Sequence, residues 1–259
     1  MKAHRPRKRF GQHFLRDARV IDRLVGAIAP APGQRIVEIG PGEGVLTRPL
    51  LASGAEIMAV ELDRDLATTL SDRLGQPPAL TVVQNDILEV ELSALAGQSR
   101  VRVVGNLPYN ISTPILFHLF GQLPVIADMH FMLQKEVVDR LVAGPGGRDY
   151  GRLSVMAACF CELDWLFDVP PDAFRPPPRV MSAIVRLRPR PENQIPNALL
   201  PALDRIVRQA FGQRRKTLRN SLRTLLDESA ISAAGIDPAL RPERLSLEEF
   251  LRLAAALPD

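Results

Sequence analysis

The sequence is short of cysteine. Its 259 residues hold only Cys159 and Cys161, one residue apart and too close for an unstrained bridge. That excludes a disulfide-stapled scaffold and suits a reducing compartment, so a cytoplasmic location is expected. No run of about 18 apolar residues occurs, so neither a span nor a membrane partner is expected. The basic N-terminus lacks the apolar core of a secretory signal, because Phe10–Leu15 runs straight into Arg16 and Asp17. His4, His118 and His130 have no ligand-like spacing with one another or with the cysteines, and no metal is expected. The composition, 46% hydrophobic and 24% charged, excludes wholesale disorder. The length allows one large α/β domain plus a small appendage.

Acid is missing from two stretches. Residues 1–16 carry six basic side chains and no acid, and residues 205–223 carry seven and no acid. The segments between and after them are net acidic, at −5 and −4, which leaves the chain at +4. Two basic segments flanking an acidic body suggest a polyanion gripped from two sides, and together they favour nucleic acid over plain solvated arginine.

What is present is a regular alternation. Asp17 is placed to cap a helix over Ala18–Ala29. Strands are expected at Arg35–Ile39, Glu56–Glu61, Leu80–Gln84, Val101–Val104 and Asp128–Leu133. Helices are expected at Val45–Ala52, from Asp63 to Leu74, weakly at Ile87–Ala96, at Pro114–Phe120 and at Lys135–Ala143. Such alternation implies βαβ units and a parallel sheet covered on both faces. After a buried helix at Leu153–Cys161, two late strands, Glu162–Asp168 and Ala183–Leu187, read as an antiparallel pair at the sheet edge. Pro189, Pro191, Pro196 and Pro201 then mark a linker. The expected domains are therefore residues 1–190, with 1–16 as a basic arm, and residues 191–259. The second contains helices at Leu203–Phe211, Thr217–Leu226 and Leu247–Leu257.

Four motifs carry chemistry. In Val37–Thr47 a strand enters a turn with glycines at 40, 42 and 44 and then a helix. The backbone there can approach a ligand closely. The spacing is not G-x-G-x-x-G, and a Tyr-x-x-x-Lys pair is absent, which speaks against a nicotinamide dehydrogenase. Glu61 ends the next strand, where a carboxylate can accept from both ribose hydroxyls; it could also merely cap the next helix with Asp63. Asp86 ends the following strand and can accept from an adenine amine, or form a local turn. The fourth motif, Val104–Asn110, is the most telling. The side-chain oxygen of Asn106 and the carbonyl of Leu107 can each accept an N–H from an exocyclic amine. Pro108 stiffens that turn, and Tyr109 offers a ring for a flipped base.

With these residues in view, the chain resembles the rRNA adenine N6,N6-dimethyltransferases of the KsgA/RsmA type over nearly its whole length. Eight ordered runs carry the resemblance: Lys8–Leu15, Glu38–Gly42, Val60–Asp63, Gly105–Thr113, Met132–Val137, Tyr150–Ser154, Phe174–Val180 and Phe211–Asn220. It implies a Rossmann-like class I methyltransferase domain, a seven-stranded mostly parallel sheet with helices on both faces, plus a small all-α C-terminal domain that binds RNA. It implies S-adenosylmethionine as methyl donor and dimethylation of two adjacent adenosines in a hairpin near the 3′ end of 16S rRNA. The partner would be the assembling small ribosomal subunit, and the enzyme would act as a monomer.

Carried over by position, the donor site comprises His13, Leu15, Gly40, Glu61, Asp86 and Asn106. The family usually has Asn where His13 stands. Catalysis would rest on Asn106, Leu107, Pro108 and Tyr109, with Phe174 sandwiching the base against Tyr109 or else serving as a core residue. Arg7, Lys8 and Arg9 of the arm are expected to bind RNA. So are Arg214, Arg215, Lys216 and Arg219, read as one helical stretch with 215 and 219 on one face; an acidic partner helix is the rival reading. Other functions considered are a non-catalytic assembly factor, a DNA adenine methyltransferase, whose motif is typically Asp-Pro-Pro-Tyr, and the related large-subunit rRNA methylase. The intact glycine turn and Asn106–Tyr109, and the Phe211–Asn220 run, favour the small-subunit enzyme.

Overall fold

The computed structural model describes residues 13–97, 99–191 and 195–258. Among the described residues nine strands form: β1 (Phe14–Leu15), β2 (Arg35–Ile39), β3 (Glu56–Glu61), β4 (Leu80–Gln84), β5 (Val101–Asn106), β6 (Ile126–Gln134), β7 (Cys161–Val169), β8 (Phe174–Arg175) and β9 (Ser182–Pro189). Seven build one sheet in the order β4-β3-β2-β5-β6-β9-β7. Strands β2 to β6 pair in parallel, and β9 runs antiparallel to β6. This is the mostly parallel seven-stranded sheet that the resemblance implies.

The central strands are apolar on both faces because helices must cover both. Ile36, Val37, Val103 and Val104 are all fully buried, and each such side chain contributes about 1.5–3 kcal/mol by leaving water. Chain order reverses between β2 and β5. Right-handed crossovers therefore send the helices after β2 and β5 to opposite faces, and the two loops part at the C-terminal ends of these strands. That crevice is where the glycine turn and Asn106 meet.

Helix Ala18–Ile28 starts where Asp17 accepts from the N–H groups of Arg19 and Val20, and it buries Leu24 and Ile28. Helix Arg64–Leu74 starts at Asp63 in the same way. The expected helix at Ile87–Ala96 is two pieces, a 3₁₀ turn Ile87–Glu89 and a helix Leu92–Ala96. A separate two-stranded annex, which no local pattern foretells, pairs β1 antiparallel with β8, Leu15 opposite Phe174.

The chain falls into two compact units. The first is built from residues up to Val138 together with Asp164–Pro189; the second from Asp139–Leu163 together with Arg190 onward. In the second, helix Leu200–Gly212 buries Leu203, Ile206, Val207 and Ala210, one stripe at helical spacing. It packs against helices Leu247–Ala255 and Arg152–Phe160. Tyr150 donates from its hydroxyl to the Leu245 carbonyl at 2.8 Å. Ser246 and Glu249 close a capping box on the last helix. No helix among the described residues is long and apolar enough to cross a membrane.

Candidate active site

The glycine turn after β2 takes positive φ at Gly40, Gly42 and Gly44 (65°, 57° and 81°). At Gly42 the reason is contact as well as conformation: a Cβ there would lie 2.9 Å from the Phe14 ring. The turn is tied down by Glu61, whose Oε2 accepts from the Gly42 N–H at 3.1 Å while Oε1 accepts from the Asp63 N–H at 2.9 Å. Glu61 thus orients the turn and the start of the next helix, and its carboxylate still faces the crevice.

At the end of β5, Gly105 has no room for a side chain, since a Cβ would meet the Ile39 carbonyl at 2.6 Å. That close approach of β5 to β2 sets the position of Asn106. The Asn106 amide donates to the His13 carbonyl at 2.8 Å. Its other atom, Oδ1, then points away with no protein donor among the described residues. The Leu107 N–H donates to the Met132 carbonyl at 3.1 Å, and the Leu107 carbonyl is likewise unpartnered. Two acceptors on neighbouring residues are left open. Tyr109 is half-buried, and its hydroxyl meets Ser182 Oγ at 2.6 Å. Burial raises its pKa, opposed by that hydrogen bond, so the phenol stays neutral at physiological pH.

His13 acts on this site in two ways. Its backbone carbonyl fixes Asn106, a contact that Asn would make equally well. Its imidazole stacks on Tyr109, ring centroids 5.6 Å apart and planes 24° from parallel, and Nδ1–H donates to the Pro176 carbonyl at 2.8 Å.

These groups enclose a cavity of about 240 Å³. His13, Gly40, Glu61, Asp86, Asn106, Leu107, Pro108 and Tyr109 all line it. Asp86 also caps the following 3₁₀ turn by accepting from the Leu88 N–H at 3.0 Å, so its local-turn role and its place on the wall coexist. Leu62, Ile87 and Leu88 supply an apolar wall that sequence patterning missed. Leu62 is 45% exposed there, and a lone leucine between Glu61 and Asp63 gave the only hint. The lining contains no Lys or Arg among the described residues; its acidic members are Glu61 and Asp86. Such a pocket repels a pyrophosphate and suits a cationic ligand. The residues fit a sulfonium donor better than a dinucleotide.

The sequence pattern of the family described as ribosomal RNA adenine dimethylase matches residues 3–259. The chain belongs to that family. The ribosomal RNA small subunit methyltransferase A of Methylococcus capsulatus is 57% identical over 255 residues, covering 98% of each chain. That of Pseudomonas aeruginosa is 54% identical over 257 residues, covering 99% of this chain and 96% of the other. Among solved structures, the 23S rRNA methyltransferase ErmE is 30% identical with a TM-score of 0.74, covering 94% of this chain and 99% of that one. A dimethyladenosine transferase from Plasmodium falciparum, 24% identical with a TM-score of 0.77 over 93% and 96% of the two chains, shares the fold.

Three expectations for this dimethylase are corrected by its structure. Phe174 does not face Tyr109: it is 4% exposed, packed with Leu15 and Leu24 in the core, and absent from the cavity wall. Strand pairing explains this, because β8 lies against β1 and turns Phe174 inward beside Leu15. Leu15 is for the same reason a core residue, 3% exposed, set behind the wall. Nor do Arg214, Arg215, Lys216 and Arg219 share one helix. The long helix ends at Gly212, a turn follows, and a short helix spans Leu218–Ser221. Arg214 donates to the carbonyls of Gly147 and Arg148, at 3.3 and 2.6 Å. Arg219 pairs with Glu228 at 3.8 Å. Arg215 and Lys216 are exposed, with side chains that have no partner among the described residues. Arg7, Lys8 and Arg9 lie outside the described residues.

Proposed function

We propose that the chain dimethylates the N6 amines of two adjacent adenosines in a hairpin near the 3′ end of 16S rRNA, acting on the assembling small ribosomal subunit with S-adenosylmethionine as donor. The observation that carries this reading is the pair of open acceptors, Asn106 Oδ1 and the Leu107 carbonyl, beside a cavity with acidic but no basic lining residues. Family membership, and relatives named for the small subunit at well above the identity to ErmE, support the substrate.

S-adenosylmethionine supplies a methyl group on a positively charged sulfur. Everything else falls to the chain. Glu61 is placed to take ribose hydroxyls, Asp86 to take an adenine amine of the donor, and the glycine turn to let the backbone close on it. An adenine amine is a poor nucleophile, because its lone pair is delocalised into the ring. Accepting both of its protons at Asn106 and Leu107 favours a pyramidal nitrogen and frees the lone pair. Tyr109, pinned by Ser182, gives the base a flat support. The amine can lose its proton after transfer, so positioning and charge placement carry the catalysis without a strong base. RNA phosphates are assigned to Arg215 and Lys216 in residues 191–259 and to Arg7, Lys8 and Arg9 of the arm.

The test is incubation with labelled donor and undermethylated small subunits, then nucleoside analysis. Labelled N6,N6-dimethyladenosine is expected. Label on another base, or transfer only to large-subunit RNA, overturns the reading.

A further inference from the structure

We propose that Glu38 is the proton-exchanging group of the donor site: it holds a proton until the cationic donor binds and then releases it to solvent. The inference rests on the donor assignment above. Glu38 lies on β2, two residues before Gly40, and is 2% exposed. Its Oε2 has no hydrogen-bond partner. It lines a second, small cavity of about 30 Å³, room for one water to relay a proton. Phe14, Gly40, Gly42 and Asn106 line both this cavity and the large one. The glycine turn, Asn106 and the Phe14 ring therefore stand between Glu38 and the donor.

The surroundings set its charge. Glu61 on β3 repels an ionised Glu38. Glu43 of the turn also lines the small cavity, but it is paired with Arg16 and Arg73. No Lys or Arg lines that cavity among the described residues. The Thr47 hydroxyl favours the ionised form, though neither Thr47 Oγ1 nor Glu38 Oε2 completes a hydrogen bond. Burial dominates, and it pushes the carboxyl up to about 7. A positive charge placed beyond the turn favours the carboxylate, and the O–H proton leaves to buffer. S-adenosylhomocysteine, which lacks the sulfonium, has less pull.

Isothermal titration of the full chain at pH 7, in two buffers of different ionisation heat, counts the protons. With S-adenosylmethionine about half a proton per site should be released, since a group near its pKa is half-charged before binding. S-adenosylhomocysteine should release less, and Glu38→Gln close to none. Donor affinity should rise from pH 6 to pH 8 in the parent and be level in the variant. Equal proton release from parent and variant overturns the proposal. If the variant fails to fold, the parent labelled with ¹³C-glutamate decides. A buried carboxyl resonance should move from protonated to ionised on adding donor, and a fixed resonance overturns the assignment. Absence of any donor binding by the parent would instead overturn the donor reading itself.

Discussion

Glu38 and His130 are both nearly fully buried in one sheet, and they titrate in opposite directions. Burial, aided by the Arg102 and Arg186 charges and opposed by Asp128, lowers His130 to about 4. The unfolded chain protonates this histidine near 6.5. Its stabilising effect is therefore present above that value and is lost as pH falls toward 4. Glu38 ionises near 4.5 when unfolded and near 7 when folded, so its contribution is full below 4.5 and is lost as pH rises to 7. Each is worth on the order of 3 kcal/mol across its window, and between pH 4.5 and 6.5 they oppose each other. Urea midpoints of Glu38→Gln should therefore climb with pH over that range more steeply than the parent's. A level variant profile would show that His130 is not kept neutral. At Tyr109, replacement by Ala should cut turnover a hundredfold or more while sparing donor affinity in a binding titration, because the ring supports the base; equal loss of both would assign it to folding. At this scale the sequence was generous with the crevice residues. Chemistry marks Glu61, Asp86 and Asn106–Tyr109, but nothing local reveals that Phe174 turns inward or that Glu38 is sealed.

Among elements, β2, β3 and β4 were bounded correctly from sequence, because each is a short apolar run closed by glycine, proline or a charged turn. Thr217–Leu226 read as a helix for a good reason: Leu218, Leu222 and Leu226 are all buried at spacing four. Yet the helix stops at Ser221 and the burial is achieved through turns, as in the Leu225 N–H to Leu222 carbonyl bond at 2.7 Å. Apolar period reports which side chains face inward, not whether the ladder is continuous. The β1–β8 annex was illegible because its partners are some 160 residues apart and each contributes two. It nonetheless carries the Phe14 ring onto Gly42. Gly42→Ala should cost about 1–3 kcal/mol in thermal or urea unfolding, from left-handed strain plus the ring contact, and should weaken the donor. An unperturbed melt would mean that the turn relaxes freely.

At the scale of the whole chain, the alternation of strands and helices was enough to give a mostly parallel α/β sheet, and charge bookkeeping was enough to suggest a polyanion. Which cations are available was not readable, since partners such as the Gly147 carbonyl or Glu228 are brought in by folding. The free pair makes a clear forecast. Replacing Arg215 and Lys216 with Ala should flatten the log–log salt dependence of RNA binding by about 0.7–0.9 per lost phosphate contact. Arg214→Ala should instead act mainly by loosening the loop at Gly147–Arg148, seen as faster amide exchange there. An unchanged salt slope in the double variant would place the RNA site elsewhere.

The His13 carbonyl holds Asn106, and Phe14 covers the glycine turn, so the stretch around His13 doubles as masonry for the chamber proposed to take the methyl donor. Proteolytic trimming past Leu15 would then leave a recognisable sheet by circular dichroism and abolish capture of the nucleoside, a loss that resembles a point defect in the chamber rather than denaturation.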